Sequence, residues 1–247
     1  MKFKLLATII VFISLNTFLF SQNSTSRWQI ELRPGIGIPL GDFGDKSILM
    51  DPQQIKLDGL AKAGFAANLA VSYALKQNIG ITFIAGLNRN KQDEEAFKAG
   101  PGISAAPYEE KIETNNWNIG KIMAGAWLQT DLAQSLHLRF HLTAGVAQTS
   151  SPYYRYIQII NPGTAQSQVY SYWQDKIKLN PAFCYEAGLQ LIHQVSKPIA
   201  ISFGSSLFRS LMKDRKEYYI SPAQYSRRKW DYQVSILTLD LGIHFSF

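Results

Sequence analysis

The final segment of the chain, Leu237–Phe247, alternates strictly between apolar and small or polar side chains. Every odd position is a leucine, isoleucine or phenylalanine, and every even position is a threonine, aspartate, glycine, histidine or serine. A period of two predicts a β-strand with one apolar face and one polar face. Because this strand carries an aromatic residue at its end, we expect it to close a transmembrane β-barrel by pairing with the first strand.

The same alternation recurs in seven earlier segments, which predicts eight strands in total. The fourth segment changes parity, because Trp117 and Ile119 share one face while Ile122 and Leu128 share the other. A β-bulge near Gly120-Lys121 would bring all four onto one face. The predicted strands cover residues 28–40, 64–75, 79–88, 117–129, 136–148, 182–192, 199–208 and 237–247.

The connections between these strands alternate in length. Short turns are predicted at 76–78, 130–135 and 194–198, and the other connections are long and polar. Short periplasmic turns opposite long extracellular loops are typical of outer-membrane barrels, and an even strand number places both ends of the barrel on the periplasmic side. Ten strands remain an alternative if part of the first two long loops pairs. The long loops cover residues 41–63, 89–116, 149–181 and 209–230.

The composition of the polar face separates a membrane barrel from a soluble barrel of lipocalin type. This face carries small residues and isolated charges, and lysine is almost absent from the strands, with Lys121 as the exception. Small side chains suit the narrow interior of an eight-stranded barrel, whereas a face in water would be rich in charge. The bulky face is therefore expected to contact lipid, with aromatic girdles. Their predicted members are Trp28, Tyr73, Trp117 and Tyr185.

The first residues have the organisation of a secretory signal peptide. Two lysines precede an apolar run, Leu5–Phe20, and a polar stretch follows it. We predict a signal peptide over 1–21, a short linker over 22–27 and the barrel over 28–247. An uncleaved anchor helix is the alternative. The chain has a single cysteine, Cys184, which excludes an intramolecular disulfide. The net charge is +7, but an exported protein rarely meets nucleic acid, so no nucleic-acid partner is expected.

Two short motifs resemble a known family. The passage Gly-Ile-Gly-Ile-Pro-Leu-Gly-Asp-Phe-Gly, residues 35–44, resembles the first strand and loop of PorT-type and related porin-family outer-membrane β-barrels. The terminal Leu-Gly-Ile-His-Phe-Ser-Phe, residues 241–247, is similar to their closing strand. The resemblance implies a small eight-stranded barrel like OmpA and OmpX, in the outer membrane of a Gram-negative cell. It also implies recognition by the barrel-assembly machinery, and it brings no catalytic residue and no cofactor.

Several charged side chains are predicted to point into the barrel. Because a barrel of this size is filled by side chains, buried charges must be paired. Two functions are compatible with such a set: a structural salt-bridge network that plugs the barrel, or a gated ion path. The predicted network consists of Glu31, Arg33, Arg139, Glu186 and Asp240.

The histidines do not predict a metal site or a catalytic site. His137 and His141 are four residues apart on one strand, roughly 13 Å, which is too far to share one metal ion. Asp240, His244 and Ser246 resemble the composition of a lipid A-modifying hydrolase. They point inward from one straight strand, however, so they cannot converge as a triad. An enzyme is therefore disfavoured, and no cofactor or metal is expected.

The long loops predict a surface that is rich in aromatic and basic residues. Asn161-Pro162-Gly163 lies between two β-prone runs, which predicts a hairpin. This surface could contact lipopolysaccharide phosphates, or it could bind a protein, peptide or glycan, with exposed strand edges adding a partner strand. The expected function is a structural or surface-interaction role, and the alternative is a small pore or a component of a secretion or uptake complex. The predicted surface comprises Tyr153, Tyr154, Arg155, Tyr156, Tyr170, Tyr172, Trp173, Tyr218, Tyr219, Arg227, Arg228 and Trp230.

Overall fold

The protein is described by a computed structural model. The predicted signal peptide lies outside the described residues, and so does the predicted linker apart from Arg27. The structure describes residues 27–45, 48–51, 54–57, 59–95, 108–174, 179–221 and 224–247.

Eight antiparallel strands form a closed barrel in the order β1-β13-β12-β11-β8-β7-β5-β4. The last strand pairs with the first, with Ile38 opposite Leu237 and Ile30 opposite Phe245. This confirms the predicted fold class and the closing role of the terminal strand. The strands are β1 Trp28–Leu40, β2 Ile48–Asp51, β3 Gln54–Leu57, β4 Ala61–Lys76, β5 Ile79–Gln92, β6 Tyr108–Thr114, β7 Asn116–Ala133, β8 Leu136–Ser150, β9 Tyr154–Ile160, β10 Gln168–Gln174, β11 Ala182–Ser196, β12 Ile199–Ser221 and β13 Gln224–Ser246.

The additional strands in the long loops do not enlarge the barrel. The pair β2–β3 forms its own hairpin, and β6 joins β9 and β10 in a separate sheet with the order β10-β9-β6. The strand number of the barrel is therefore eight. Strands β12 and β13 are longer than predicted, and their ladder continues to the pair Ser221–Gln224.

The three-stranded sheet continues the wall of the barrel. Asn118 lies opposite Ser150 in β7–β8, and Thr114, four residues further, lies opposite Tyr154 in β6–β9. The register is thus unchanged across the junction. There, the backbone N–H of Asn115 donates to the carbonyl of Tyr153 at 3.2 Å. The N–H of Tyr153 donates to the Asn115 side-chain oxygen at 2.8 Å.

The predicted hairpin at Asn161-Pro162-Gly163 is confirmed by the antiparallel pairing of β9 with β10. Asn161 has a φ of 52° and Gly163 has a φ of 76°. Both values lie in the left-handed region, which asparagine and glycine tolerate better than other residues. The turn therefore lets the chain reverse, and β10 pairs with the edge of β9 opposite β6.

The polarity of the barrel is inverted relative to a soluble protein. Phe183 and Leu241 on the outer face are 67% and 66% exposed, whereas Glu31 and Arg33 on the inner face are 4% and 2% exposed. Water would not stabilise such a continuous apolar outer face, whereas a closed sheet in lipid satisfies every backbone group internally. The soluble lipocalin-type alternative is therefore wrong, and the barrel spans the outer membrane. Among the described residues, no helix is both long enough and apolar enough to cross a bilayer.

The prediction for the fourth strand was wrong in its register. Strand β7 pairs with β5 and β8 without a shift at Gly120-Lys121, so the predicted bulge is absent there. Trp117 and Ile119 consequently lie inside the barrel, at 5% and 0% exposure, and Trp117 belongs to no aromatic girdle. The physical reason is that the upper part of the interior is apolar, so an apolar side chain does not identify the lipid face there.

Candidate functional site: the filled interior and the extracellular sheet

The interior of the barrel holds a balanced set of charges. The five predicted residues all lie inside, and Lys121, which was not among the predicted residues, is a sixth member. Three groups are acidic and three are basic, so the set is neutral when the histidines are neutral. Equal numbers of opposite charges reduce the cost of removing each charge from water. The six residues are Glu31, Asp240, Glu186, Arg33, Lys121 and Arg139.

Glu31 is the centre of the lower part of this network. Its Oε1 accepts a hydrogen bond from Nε2 of Gln190 at 2.6 Å and lies 3.0 Å from Nε2 of His244. The Nε of Arg33 lies 3.6 Å from the same oxygen. These contacts join strands β1, β11 and β13 across the interior, so the carboxylate cross-links opposite walls of the barrel.

Glu186 is the centre of the upper part of the network. Its carboxylate forms an ion pair with Nζ of Lys121, and both side chains are fully buried. The Nε2 of His141 lies 3.5 Å from the other carboxylate oxygen. On its far side, Lys121 contacts an apolar residue, since its Nζ lies 4.9 Å from the centre of the Phe208 ring. Lys121 therefore marks the boundary between the polar and the apolar parts of the interior.

Glycine makes room for these side chains on β13. A Cβ atom at Gly242 would lie 3.0 Å from Oε1 of Glu31 and 3.2 Å from Cγ of Arg33. The network therefore occupies the space that a side chain at this position would need. Two positions away, Asp240 lies 4.0 Å from Nη1 of Arg33, which places a second carboxylate beside the same guanidinium.

Arg139 occupies the periplasmic end of the interior. One of its terminal nitrogens donates to the side-chain oxygens of Gln29 and Gln129, each at 2.8 Å. Its guanidinium stacks 4.5 Å from the centre of the Trp127 ring. The cavity beside it has a volume of about 10 Å³, which is the space of one water molecule. Side chains thus fill this end of the barrel.

An apolar plug fills the extracellular half. The 3-10 turn Gly41–Phe43 inserts Phe43 into the mouth, where its ring meets that of Trp117 edge-on at 5.5 Å. The indole N–H of Trp117 donates to the carbonyl of Gly59 at 2.9 Å, which fixes the returning end of the same loop. The interior is therefore blocked at two levels by different chemistry. The buried members of this plug are Phe43, Leu60, Trp117, Ile119, Leu179, Phe208, Val234 and Ile236.

Three of the four histidines contact carboxylates at separate places, and they do not form a common site. His137 lies at a periplasmic turn, where its Nδ1 is 2.6 Å from the carboxylate of Asp131. His141 and His244 contact Glu186 and Glu31 inside the barrel. His244 is thus committed to an interior carboxylate. Within the described ranges, no group of three or more His, Cys, Asp or Glu is arranged to hold a metal ion.

The predicted aromatic and basic surface lies mainly where the structure describes the backbone alone. Tyr153 is described fully, and its hydroxyl donates to the carboxylate of Glu113 at 3.4 Å. The other predicted members have backbones in β9, β10, β12 and β13. Their side chains lie outside the described part: Tyr154, Arg155, Tyr156, Tyr170, Tyr172, Trp173, Tyr218, Tyr219, Arg227, Arg228 and Trp230.

The upper border of the lipid-facing surface carries an exposed arginine. Arg209 lies directly opposite Tyr185 in the β11–β12 ladder, and both residues face outward. Leu211, two residues further on the same face, is 66% exposed. An arginine beside a tyrosine at the end of the apolar surface matches the chemistry of a membrane interface, where headgroup phosphates are available.

No family model matches the chain, and no curated protein matches it. Its fold is similar to several solved outer-membrane barrels. The outer membrane protein OprG from Pseudomonas aeruginosa is 11% identical with a TM-score of 0.49, over 89% of this chain and 97% of that one. Neisserial surface protein A is 9% identical with a TM-score of 0.46, over 89% and 97%. Ail, the attachment invasion locus protein of Yersinia pestis, is 14% identical with a TM-score of 0.39, over 90% and 100%.

Proposed function

We propose that this protein is a non-enzymatic surface-interaction barrel, whose filled transmembrane part supports a rigid extracellular β-sheet that binds a protein or an extended peptide. The unbroken register between β7–β8 and β6–β9 carries this proposal. A loop that serves only to connect two strands does not need to continue the ladder beyond the membrane. A continued ladder instead holds a binding surface in a fixed position above the bilayer.

The two blocked levels of the interior favour this role over that of a small pore. The paired charges around Glu31 and Glu186 act as structural cross-links in the lower half, and the plug around Phe43 closes the upper half. Opening an ion path would require both sets of contacts to separate. Separating the first set would leave buried charges without partners, at a cost of several kcal/mol each.

The chemistry of the extracellular sheet favours a partner that supplies backbone hydrogen bonds. The sheet has two edge strands, β6 and β10, and an edge strand offers unpaired N–H and C=O groups to an incoming strand. Aromatic residues such as Tyr170 and Trp173 on β10 add apolar contact area at low entropic cost. A protein or extended peptide therefore fits this edge better than a glycan does.

Lipopolysaccharide is proposed as the lipid partner at the border of the membrane. Arg209 beside Tyr185 supplies a cation and an aromatic ring at the level where lipid phosphates lie. The guanidinium recognises phosphate bidentately, which a lysine does not do. This contact would anchor the wall below the extracellular sheet.

Membership of the PorT-type group remains part of the proposal. It is supported by the passage over residues 35–44 and by the terminal strand, both described above. Under this assignment the barrel-assembly machinery would recognise residues 241–247, and the protein would be the membrane component of a secretion or uptake complex.

The proposal is tested by replacing residues 154–174 with a short Gly-Ser linker. Intact cells that display the wild type or this variant are treated with a membrane-impermeant cross-linker, and the adducts are identified after purification. We expect the adducts to disappear in the variant while the barrel keeps its heat-modifiable migration on gels. The matched control replaces residues 48–57, which carry the separate hairpin β2–β3, and it should retain the adducts. Equal adducts in both variants would contradict the proposal.

A further inference from the structure

A second arginine lies on the outward face of the barrel, on the wall opposite Arg209. Arg89 of β5 is exposed and lies directly opposite Phe65 of β4, which is itself 54% exposed. Arg209 of β12 likewise lies directly opposite an aromatic residue, Tyr185 of β11. Four of the eight strand steps separate β5 from β12 around the barrel. An arginine beside an aromatic ring therefore occurs on both walls.

The stagger of the strands shows how the heights of the two arginines compare. In a barrel, a line drawn through directly opposite residues climbs as it passes around the axis. One such line leaves β5 at Ile79 and returns to β5 at Arg89, ten residues higher, so it climbs five residues in half a turn. The line passes through Ile79, Leu128, Phe140, Leu189, Ser205, Leu239, Ile36, Phe65 and Arg89.

The two arginines lie at the same height by this measure. Half a turn of a parallel line joins Phe83 on β5 to Arg209, through Ala124, Ala144 and Tyr185. Arg209 is consequently about five residues higher than Phe83, and Arg89 is within one residue of that level, roughly 3 Å along the strand. Because the phosphates of one lipid leaflet lie in one plane, both arginines meet that plane together.

Arg89 is held in position by a side chain of the neighbouring strand. With its amide oxygen turned toward the guanidinium, Asn116 of β7 accepts hydrogen bonds from Nε and Nη2 of Arg89 at 2.6 Å and 3.0 Å. The other edge of the guanidinium, which includes Nη1, has the same fork of two N–H donors. Lys91 is exposed two residues further on the same face, roughly 7 Å along the strand, and adds a second cation.

We propose that Arg89 and Lys91 form a second binding site for the phosphate groups of lipopolysaccharide, on the wall opposite Arg209. The inference rests on the lipid partner proposed above and adds a separate site for it. The guanidinium fork matches two oxygens of one phosphate, and the ammonium of Lys91 adds a point charge beside it. Because β5 begins at a periplasmic turn, the site lies at its extracellular end, in the leaflet that lipopolysaccharide forms.

The site is tested by native mass spectrometry of protein purified from outer membranes in a mild detergent. We expect the wild type to retain up to two lipopolysaccharide molecules, Arg89→Gln and Arg209→Gln one each, and the double variant none. Titration of delipidated protein with purified lipopolysaccharide gives the affinities. Arg89→Gln should weaken its site about tenfold or more, the factor that corresponds to the loss of one charge-assisted hydrogen bond. Arg89→Lys should also weaken it, because the fork is lost.

Arg27→Gln is the matched control, because it removes the same charge at the periplasmic end. Arg27 is exposed, and its Nη1 donates to the hydroxyl of Tyr73 at 3.4 Å, so it also lies beside an aromatic residue. This variant should retain two lipopolysaccharide molecules. Lipopolysaccharide whose phosphates have been removed should bind the wild type no better than it binds the double variant. Heat-modifiable migration of every variant shows that the barrel is folded.

Retention of as much lipopolysaccharide by Arg89→Gln as by the wild type would overturn the second site. An equal loss in Arg27→Gln would also overturn it, because net charge alone would then explain the binding. Unchanged binding of the dephosphorylated lipid would overturn phosphate recognition. If Arg89→Gln has no effect and Arg209→Gln does, the lipid partner of the proposed function still stands. A loss in Arg89→Gln alone would support the second site and contradict the contact at Arg209, so the two failures are distinguishable.

Discussion

The pair Lys121–Glu186 shows at the level of single residues how the interior is held together. Both side chains are completely buried, and Glu186 also contacts His141. A buried ion pair contributes little net stability relative to apolar residues, but removal of one partner leaves a charge without compensation. The ion pair therefore matters chiefly because neither charged group can be removed alone without destabilising the barrel.

We predict that Lys121→Met and Glu186→Gln do not have equal effects. Lys121→Met leaves the buried Glu186 carboxylate without its ammonium partner and should lower the free energy of unfolding by about 3–5 kcal/mol. Glu186→Gln leaves the ammonium beside a neutral amide and should cost less. The double variant should recover part of the loss, because no carboxylate without its ammonium partner remains. Urea unfolding in detergent micelles measures all three, and a fully additive double variant would show that the two groups do not interact.

A second prediction at this scale concerns two glycines, one packed closely against the neighbouring strand and one with open space around it. A Cβ atom at Gly35 would lie 2.9 Å from the backbone Cα of Asp240 on the closing strand, whereas Gly120 has open space around it. Gly35→Ala should force β1 and β13 apart and cost about 1–3 kcal/mol. Gly120→Ala should have no destabilising effect. The temperature of heat modification on gels checks both, and equal temperatures would contradict the close approach.

The alternation of residues predicted the strands and five charges of the interior, but it predicted neither Lys121 nor the pairing of these charges. The parity of Glu31, Arg33 and Asp240 placed them inside, because each lies in a strand whose apolar residues face lipid. Lys121 lies on the same parity as Trp117, Ile119, Met123 and Trp127, all of which are buried. Continuing that parity without a bulge would have placed it inside. Its partner is 65 residues away in sequence, and no local pattern contains that information.

At the scale of the elements, the outward faces of the strands together form the apolar surface that contacts lipid. The free energy cost of a charged side chain on this surface depends on how deep in the membrane its position lies. Leu241 lies in the middle of the apolar face of β13, and Val195 lies at the periplasmic end of β11. Both are well exposed, at 66% and 60%. In lipid these two positions differ, whereas in water they would be equivalent.

We predict that Leu241→Arg lowers the free energy of unfolding by about 2–4 kcal/mol, because its charge lies near the middle of the bilayer. Val195→Arg should cost about 0–1 kcal/mol, because the arginine reaches the interface. Reversible unfolding in phospholipid vesicles gives both values. Equal and small effects would mean that water contacts this face.

The hairpin β9–β10 was predicted from its turn, but its position was not. Asn161-Pro162-Gly163 identified the connection, since the left-handed residues are specified locally. The pairing of β9 with β6 depends on the ladder of β7–β8 below it. The segment Tyr108–Thr114 is charged and lacks a regular alternation, so sequence pattern alone did not identify it as a strand.

At the scale of the whole molecule, the polar network and the apolar plug lie one above the other in the same interior. Each blocks the axis with side chains from several strands, and Lys121 contacts both layers through Glu186 and Phe208. The loss of one layer therefore leaves the other in place.

We predict that the purified protein gives no stable conductance in planar bilayers, and that Arg139→Ala does not change this result. The substitution removes side-chain volume at the periplasmic end only, while the plug around Phe43 remains. Single-channel recording at moderate voltage checks both proteins. Steady conductance of the wild type would contradict the filled interior.

The shared register of β7–β8 and β6–β9 also determines how far the three-stranded sheet extends beyond the barrel. From Ser151 to Ile160 the chain rises ten residues beyond the end of β8, roughly 33 Å along the strand at about 3.3 Å per residue. A flexible tether of the same length would sample many distances from the bilayer. A paired ladder fixes one distance, so a partner that binds the tip is held at a constant separation from the bilayer and at a constant angle.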